Sequence, residues 1–355
     1  MWFYVFKRML AMIPTLIGVV TLTFLITQIV PGGPVDQALT QIDAADTRSG
    51  ADGGGGVGGG AWNYTGRQRI DTQQIKHLRE LYGFDKPLLE RYWLMLDNFA
   101  HFNLGESYFR SDSVWHLIKS KLPVSISLGV WTFFLTYLVS VPLGVFKAVR
   151  AGSRFDFLSS VLILTGYAVP GFVLGVLLIL LFGGGSFWDV FPLRGLTSDN
   201  WSELSWHGKI TDYLWHITLP VTASVISNFA LKTLLTKNTF IEEIRRQYVF
   251  TARAKGLSEN KVLWKHVLRN ALLPLITSFP GALITAFFTG NLLIEILFSL
   301  DGIGLLSYES INSRDFPVIL GTLYVFTLIG LLAKLLGDIA YVLADPRIRF
   351  DARGV

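Results

Sequence analysis

Tyr248-Val249-Phe250-Thr251-Ala252-Arg253-Ala254-Lys255-Gly256-Leu257-Ser258-Glu259 lies between two long apolar runs of a 355-residue chain. A polar, structured element in that position is offered to something outside a bilayer. Residues 248–255 contain no Pro or Gly and carry alanines and basic side chains, which predicts a short helix. Arg253 and Lys255 fall in its last turn, where positive charge complements the helix dipole. Gly256 is placed for the left-handed position just past the helix, with Leu257 to supply the apolar contact that often follows. Ser258 suits the N-cap of a second helix, in which Val262, Leu263, Val267, Leu268 and Ala271 recur at helical spacing. The stretch predicts a helix–Gly–helix elbow, kept close to the membrane because Ala271 opens the next apolar run.

The rest of the chain agrees with a membrane setting. It is 51% hydrophobic and only 16% charged, too apolar for an ordinary soluble protein. Its net charge of +5 is not a nucleic-acid signature, because the Lys and Arg residues cluster beside apolar runs. There is no cysteine, which excludes disulfides, thiol catalysis and cysteine-ligated metals. Six runs approach the roughly 20 apolar residues that a hydrocarbon core requires: 9–29, 124–146, 157–182, 213–235, 271–298 and 316–343. The first is longer than the apolar part of a signal peptide and no small-residue cleavage site follows it, so a retained helix is expected.

Short-loop charge sets the expected orientation. With the N-terminus inside, the cytoplasmic pieces hold Lys7, Arg8, Lys147, Arg150 and Arg154, eight basic residues between Lys237 and Arg269, and Arg347, Arg349 and Arg353, which makes 16. Three, Arg194, Lys209 and Arg314, fall outside. That asymmetry places both termini and the elbow in the cytoplasm. The expected organisation is an N-terminal transmembrane helix (1–30), an extracytoplasmic loop (31–122), a five-helix core (123–345) and a cytoplasmic tail (346–355). Within the large loop, residues 50–60 are a glycine-rich tether, and two short surface helices are expected in residues 72–102. The outer loop 183–212 carries Trp188, Trp201 and Trp206, an aromatic usage expected at a membrane interface.

Several stretches together resemble the permeases of ABC importers in the dipeptide/oligopeptide branch. They are Thr251-Ala252-Arg253-Ala254-Lys255-Gly256-Leu257-Ser258, His266, Arg269-Asn270-Ala271 and Leu273-Pro274. Ile13-Pro14-Thr15-Leu16, Val30-Pro31-Gly32-Gly33-Pro34, Tyr82-Gly83-Phe84-Asp85-Lys86-Pro87, Glu90-Arg91-Tyr92 and Asn103-Leu104-Gly105-Glu106-Ser107 carry the resemblance outside the elbow. Phe250 stands where importer loops generally have Glu, and Pro274 lies further from Gly256 than in sugar-type importers; both departures fit the peptide branch. The enlarged first loop and residues 210–220 are similar to the type associated with oligopeptide and microcin C uptake. The resemblance implies an all-α polytopic fold with six transmembrane helices, like a type I ABC importer permease, in the inner (plasma) membrane. It implies that Thr251, Ala252, Arg253, Ala254, Lys255 and Gly256 couple to an ATPase through the 248–258 loop. The implied partners are a second homologous permease, two ATPase subunits or domains, an extracytoplasmic substrate-binding protein, the peptide substrate and membrane lipid, with no nucleic acid. No cofactor is expected in this chain, since ATP and Mg would sit on the ATPases.

The chain's own chemistry is sparse. No Gly-x4-Gly-Lys-Ser/Thr loop occurs, and Gly208-Lys209 is followed by Ile210. The six histidines show no i, i+4 pair, so no metal site is expected, and no catalytic residue is assigned. Asn291 and Glu295 lie one turn apart late in the fifth run, either lining the outer end of a translocation path or fixing a helix end at the interface. Lys334 and Asp338, at i, i+4, are expected to neutralise one another on one face. An ion-gradient-driven secondary transporter using Glu295, Lys334 and Asp338 is the alternative function. Pro170-Gly171, Pro220, Pro274 and Pro280-Gly281 are expected to interrupt the spans, and Gly171 with Gly175 forms a small-xxx-small pair.

Overall fold

A computed structural model of the protein describes residues 2–29, 86–107, 109–110, 112–184, 187–288 and 291–344. The glycine-rich tether, residues 82–85 of the Tyr-Gly-Phe-Asp stretch and the 346–355 tail lie outside the described residues. The described residues are helical and contain no named strand, with two isolated bridges, Glu106 to Ser113 and Gly183 to Phe191. The helices are α1 (Trp2–Ile29), α2 (Leu88–Ala100), α3 (Val114–Val149), α4 (Arg154–Ala168), α5 (Gly171–Phe182), α6 (Trp206–Ile244) and α7 (Gln247–Ala254). They continue with α8 (Glu259–Lys261), a π-helical turn at Val262–Val267, α9 (Leu268–Ala271), α10 (Leu273–Phe288), α11 (Leu292–Leu297), α12 (Ile303–Ser313) and α13 (Phe316–Ala344).

Among the described residues, four helices are long and apolar enough to cross a membrane alone, over Val5–Ile26, Val114–Val149, Trp206–Ile244 and Phe316–Ala340. Two further crossings arise only if bent pairs are counted: α4 with α5, bent by 94°, and Glu259–Ala271 with Leu273–Ile284, bent by 49°. The third expected span is therefore not a straight helix. Its arms of 15 and 12 residues reach about 22 and 18 Å at 1.5 Å per residue, each short of a core of about 30 Å. Pro170 makes the break: it forces the preceding Val169 into an extended conformation (φ −86°, ψ 122°), and α5 starts afresh at Gly171. Pro220 and Pro280 do the opposite of what was expected, both lying inside continuous helices.

The chain divides into two compact units. The larger takes in Met1–Met12, Ile118–Tyr308 and Phe326–Val355. Its core packs Ile217, Leu219, Val221 and Ala223 of α6 against Leu128 of α3 and against Ile294, Phe298 and Leu300 around α11. Gly175 lies so close to Leu297 that a Cβ there would sit 2.6 Å from its Cδ2. The Gly171–Gly175 pair thus serves packing within the chain, Gly171 against Ser227 and Gly175 against Leu297. Gly144 gives a similar close approach between α3 and Thr236 of α6. Away from this core the helices present apolar side chains outward, among them Phe157, Leu158 and Leu162, as lipid-facing surfaces do.

The smaller unit comprises Ile13–Leu117 and Glu309–Val325. Within it Tyr92 of α2 bonds Thr21 of α1 at 2.6 Å, and Arg91 reaches Gln28 at 2.8 Å. The Asn103–Ser107 stretch is a loop turning at Gly105 (φ +79°), and the buried Ser107 hydroxyl donates to the buried Asp315 carboxylate. Phe99 stacks on Tyr324 at 5.0 Å, and Arg110 pairs with Glu309 at 2.6 Å. That motif is therefore structural: it fastens the start of α3 beside the start of α13 inside one unit.

Candidate functional site

The elbow forms much as its sequence dictates. The first helix runs Gln247–Ala254, one residue earlier than expected. It ends in a Schellman closure: Gly256 N–H bonds Arg253 C=O at 2.9 Å, Leu257 N–H bonds Ala252 C=O at 3.4 Å, and Gly256 has φ +78°. Ser258 holds the N-cap backbone position with no side-chain cap bond, its carbonyl accepting Val262 N–H at 3.0 Å. The second arm is not the regular α-helix that the spacing suggested, because it contains the π turn over Val262–Val267. In an α-helix residues five apart fall on different faces; the π turn brings Val262 and Val267 to the same side, and both are completely buried.

The elbow is seated on the ends of two long helices. Val249, Ala252, Val262, Val267 and Ala271 pack with Ala148 of α3 and Phe240 of α6 into one buried cluster. Polar bonds fasten it further. Tyr248 O–H donates to Glu243 at 2.7 Å and accepts from Asn270 at 3.0 Å, which ties α7 to the Arg-Asn-Ala stretch. Burial, reinforced by the Glu243 carboxylate, pushes the Tyr248 phenol above its ordinary value, so it stays a donor at physiological pH. Arg253 grips Glu259 with two bonds of 2.9 and 3.1 Å across the bend, a fork that the sequence did not reveal. Thr251, Ala254 and Lys255 face out, as do Phe250 (57% exposed) and Trp264 (67%). Leu257 is also exposed and does not close the motif with a buried contact. The elbow is a two-sided element, one face locked into the protein and the other an open mixture of apolar and basic groups.

Beside it lies a charge cluster that sequence reasoning did not single out. Lys147, counted above among loop cations, is fully buried. Its Nζ donates to Asp156 C=O (2.9 Å), Ser159 Oγ (2.7 Å) and Ser160 Oγ (2.8 Å), and lies 3.1 Å from Asp156 Oδ1. Lys237 of α6 donates to both Asp156 carboxylate oxygens at 2.7 and 2.8 Å. The legible signal was Ser153-x-x-Asp156, the spacing of a helix-capping pair, and Ser153 indeed accepts from Asp156 N–H.

Asn291 and Glu295 are not late in one long helix. Asn291 is the N-cap of the separate short helix α11, whose first turn contains Glu295. Glu295 is fully buried, accepting from Ser125 Oγ (3.1 Å) and Leu305 N–H (2.8 Å), while Ser125 Oγ accepts Ile303 N–H at 2.9 Å. The carboxylate thus caps the start of α12, where unpaired N–H groups favour negative charge. A Cβ on Gly302 would lie 2.4 Å from the Glu295 Cδ. Gly302→Ala is therefore expected to push the carboxylate off its donors and cost about 1–3 kcal/mol, read as a lowered thermal transition of the purified protein. A Gly302→Ala protein as heat-resistant as wild type refutes the cap.

Asn291 and Glu295 also line a cavity of about 410 Å³, together with Ser125, Tyr137, Asn228 and Lys232. Lys334 and Asp338 do not pair with each other. Asp338 lies 2.7 Å from Arg8, close enough for an ion pair without the alignment of a hydrogen bond, and Lys334 is exposed. Arg8 reaches Asp338 from a helix that i, i+4 spacing could not consider. Among the described residues no group of three or more His, Asp or Glu is arranged to hold a metal.

Residues 140–350 match the family described as binding-protein-dependent transport system inner membrane component. The chain is 55% identical over 361 aligned positions to the inner membrane ABC transporter permease protein YejB of Escherichia coli O157:H7, covering 99% of both chains. It is 52% identical, again over 99% of both, to the peptidoglycan transport system permease protein YejB of Agrobacterium fabrum. The dipeptide transport system permease protein DppB of Bacillus subtilis is 32% identical over 99% of both chains.

Proposed function

The chain belongs to the family of binding-protein-dependent transport system inner membrane components, and from that membership we propose that it is the permease subunit of an ATP-driven importer of oligopeptides. The observation that carries the proposal is the elbow: a Gly-closed turn seated on α3 and α6 that leaves Phe250, Leu257, Trp264 and Lys255 unburied. In this reading two ATPases grip that outer face, one on each of two permeases. ATP binding draws the ATPases together, and the pull passes through Val249 and Val262 into the long helices, opening the pathway outward. An extracytoplasmic binding protein delivers the peptide. One chain lines half of the pathway, so a second homologous permease completes it. ATP and magnesium belong to the ATPases. Both termini and the elbow face the cytoplasm, in keeping with the Lys and Arg distribution.

The secondary-transporter alternative loses its machinery, since Glu295 is consumed as a helix cap and Asp338 is paired with Arg8. The relatives' names point to ABC permeases as well. Co-purification in mild detergent tests the proposal, and the absence of cysteine allows Thr251→Cys to be the single thiol for cross-linking. The expected result is a complex in which residue 251 cross-links to an ATPase. Purification with no ATPase, together with uptake driven by an ion gradient alone, overturns it.

A further inference from the structure

The cavity carries a second and more specific assignment. Two polar stripes face it. Ser224, Asn228 and Lys232 follow one another at four-residue steps along α6, and Ser125, Thr132 and Thr136 lie along α3. Three of these groups are already engaged. Ser224 Oγ donates to Pro220 C=O, Asn228 Nδ2 donates to Ser224 C=O, and Ser125 serves Glu295. Glu295 spends its charge on the α12 terminus, as described above.

Three other lining residues stand out, Thr136, Tyr137 and Lys232. Thr136 is 4% exposed, and its Oγ1 has no hydrogen-bond partner; neither has the buried Tyr137 hydroxyl. Lys232 has no ion-pair partner among the described residues, and its Nζ is held 5.3 Å from the centre of the Tyr137 ring. A lysine in an apolar span ordinarily extends its ammonium to the aqueous interface, yet this one is drawn in over an aromatic face. Buried hydroxyls without partners are costly and uncommon. The side chains that carry these two buried hydroxyls and the ammonium line one cavity; two donors and a cation without an acceptor match the needs of a carboxylate, which accepts several bonds and returns the missing charge.

We propose that Lys232, Thr136 and Tyr137 form a subsite for a carboxylate of the transported peptide, so that the permease itself selects peptides by an anionic group. The proposal rests on the importer reading and names what its pathway recognises. A peptide carboxylate has two sources, the free C-terminus and an acidic side chain, and three probes separate them: trialanine, trialanine amide and Ala-Ala-Glu with its α-carboxyl amidated.

Uptake of each probe is measured in cells carrying the whole transporter with wild-type or Lys232→Met permease. The binding protein's own preference is common to both strains and cancels in the acid-to-amide ratio. Losing a charge-assisted contact is expected to lower that ratio about tenfold in Lys232→Met, with Lys232→Arg retaining much of it. A fall confined to trialanine identifies the C-terminus as the bound group, and a parallel fall for the glutamyl probe shows that any carboxylate suffices. A ratio unchanged in Lys232→Met overturns the subsite, including the case in which a partner permease already supplies the counter-charge. If Lys232→Met fails to reach the membrane, Tyr137→Phe decides by the same ratio, because it removes the hydroxyl and keeps the ring packed on Phe133 and Phe279. Wild-type cells that import none of the probes sink the importer reading instead, a result distinct from an unchanged ratio.

Discussion

Asp156→Ala is expected to be among the most damaging single substitutions in the protein, costing about 3–5 kcal/mol, the usual penalty for removing one partner of a buried ion pair. Lys147 is 0% exposed at its side chain and cannot turn to water once the carboxylate is gone. The serine hydroxyls and the Asp156 carbonyl would still accept from it, but no negative charge would remain nearby. Lys237, at 17% side-chain exposure, can re-solvate in part, so Lys237→Met is expected to be milder than Asp156→Ala. A loss of this size approaches the whole stability of many domains. The measurement is the amount of folded, monodisperse protein recovered from membranes, with the apparent melting temperature as a second readout. The double variant Lys147→Met with Asp156→Ala separates charge from shape. It removes the stranded ammonium together with its partner, and much of the loss should return. An Asp156→Ala protein that accumulates and melts like wild type would show that the cluster is not the clasp holding the α3–α4 turn to α6.

The second large effect is expected on transport rather than on folding. In Gly256→Val uptake should fall at least tenfold while the protein still inserts. Gly256 has φ +78°, and a Cβ there would meet nothing within 4 Å. The whole penalty is backbone strain, with no clash to relieve: about 1–3 kcal/mol for an L-residue in the left-handed region, highest for a β-branched one. Few contacts resist unwinding of the turn, because Leu257 is exposed and the Arg253–Glu259 fork is at the surface. The strained chain escapes by opening the Schellman closure, and the grip surface formed by Phe250 and Thr251 loses its fixed direction. Gly256→Asn is the discriminating control, since asparagine tolerates this conformation and should keep much of the activity. Uptake and ATPase stimulation by loaded binding protein are measured together; both are expected to fall in Gly256→Val with the binding protein's peptide affinity unchanged. Undiminished uptake in that variant removes the elbow from the coupling path.

The two variants touch features that were unequally visible in the sequence. The left-handed glycine could be read directly, because the residues of a Schellman closure are neighbours and only glycine takes that φ cheaply. The same locality made the 81-residue separation of Lys237 from Asp156 invisible. Lys147 looked like an ordinary loop cation because nothing within a helical turn of it is acidic. Lys334 and Asp338 erred the other way: correct spacing suggested a pair, and Arg8 from another helix was the better placed partner.

What the sequence determined by itself is whatever depends on composition and on residues within a few positions of one another. That covers the apolar helices, the elbow and its glycine, and the membrane setting. Tertiary structure alone decided which polar groups were used up. It turned Glu295 into a helix cap, bent the third span at Pro170, and wound a π turn so that Val262 and Val267 share one buried face. It also left Lys232, Thr136 and Tyr137 facing a cavity. The physical reason is the same throughout: a buried polar group must find its partner wherever the fold brings one, and linear spacing carries no record of distant chain.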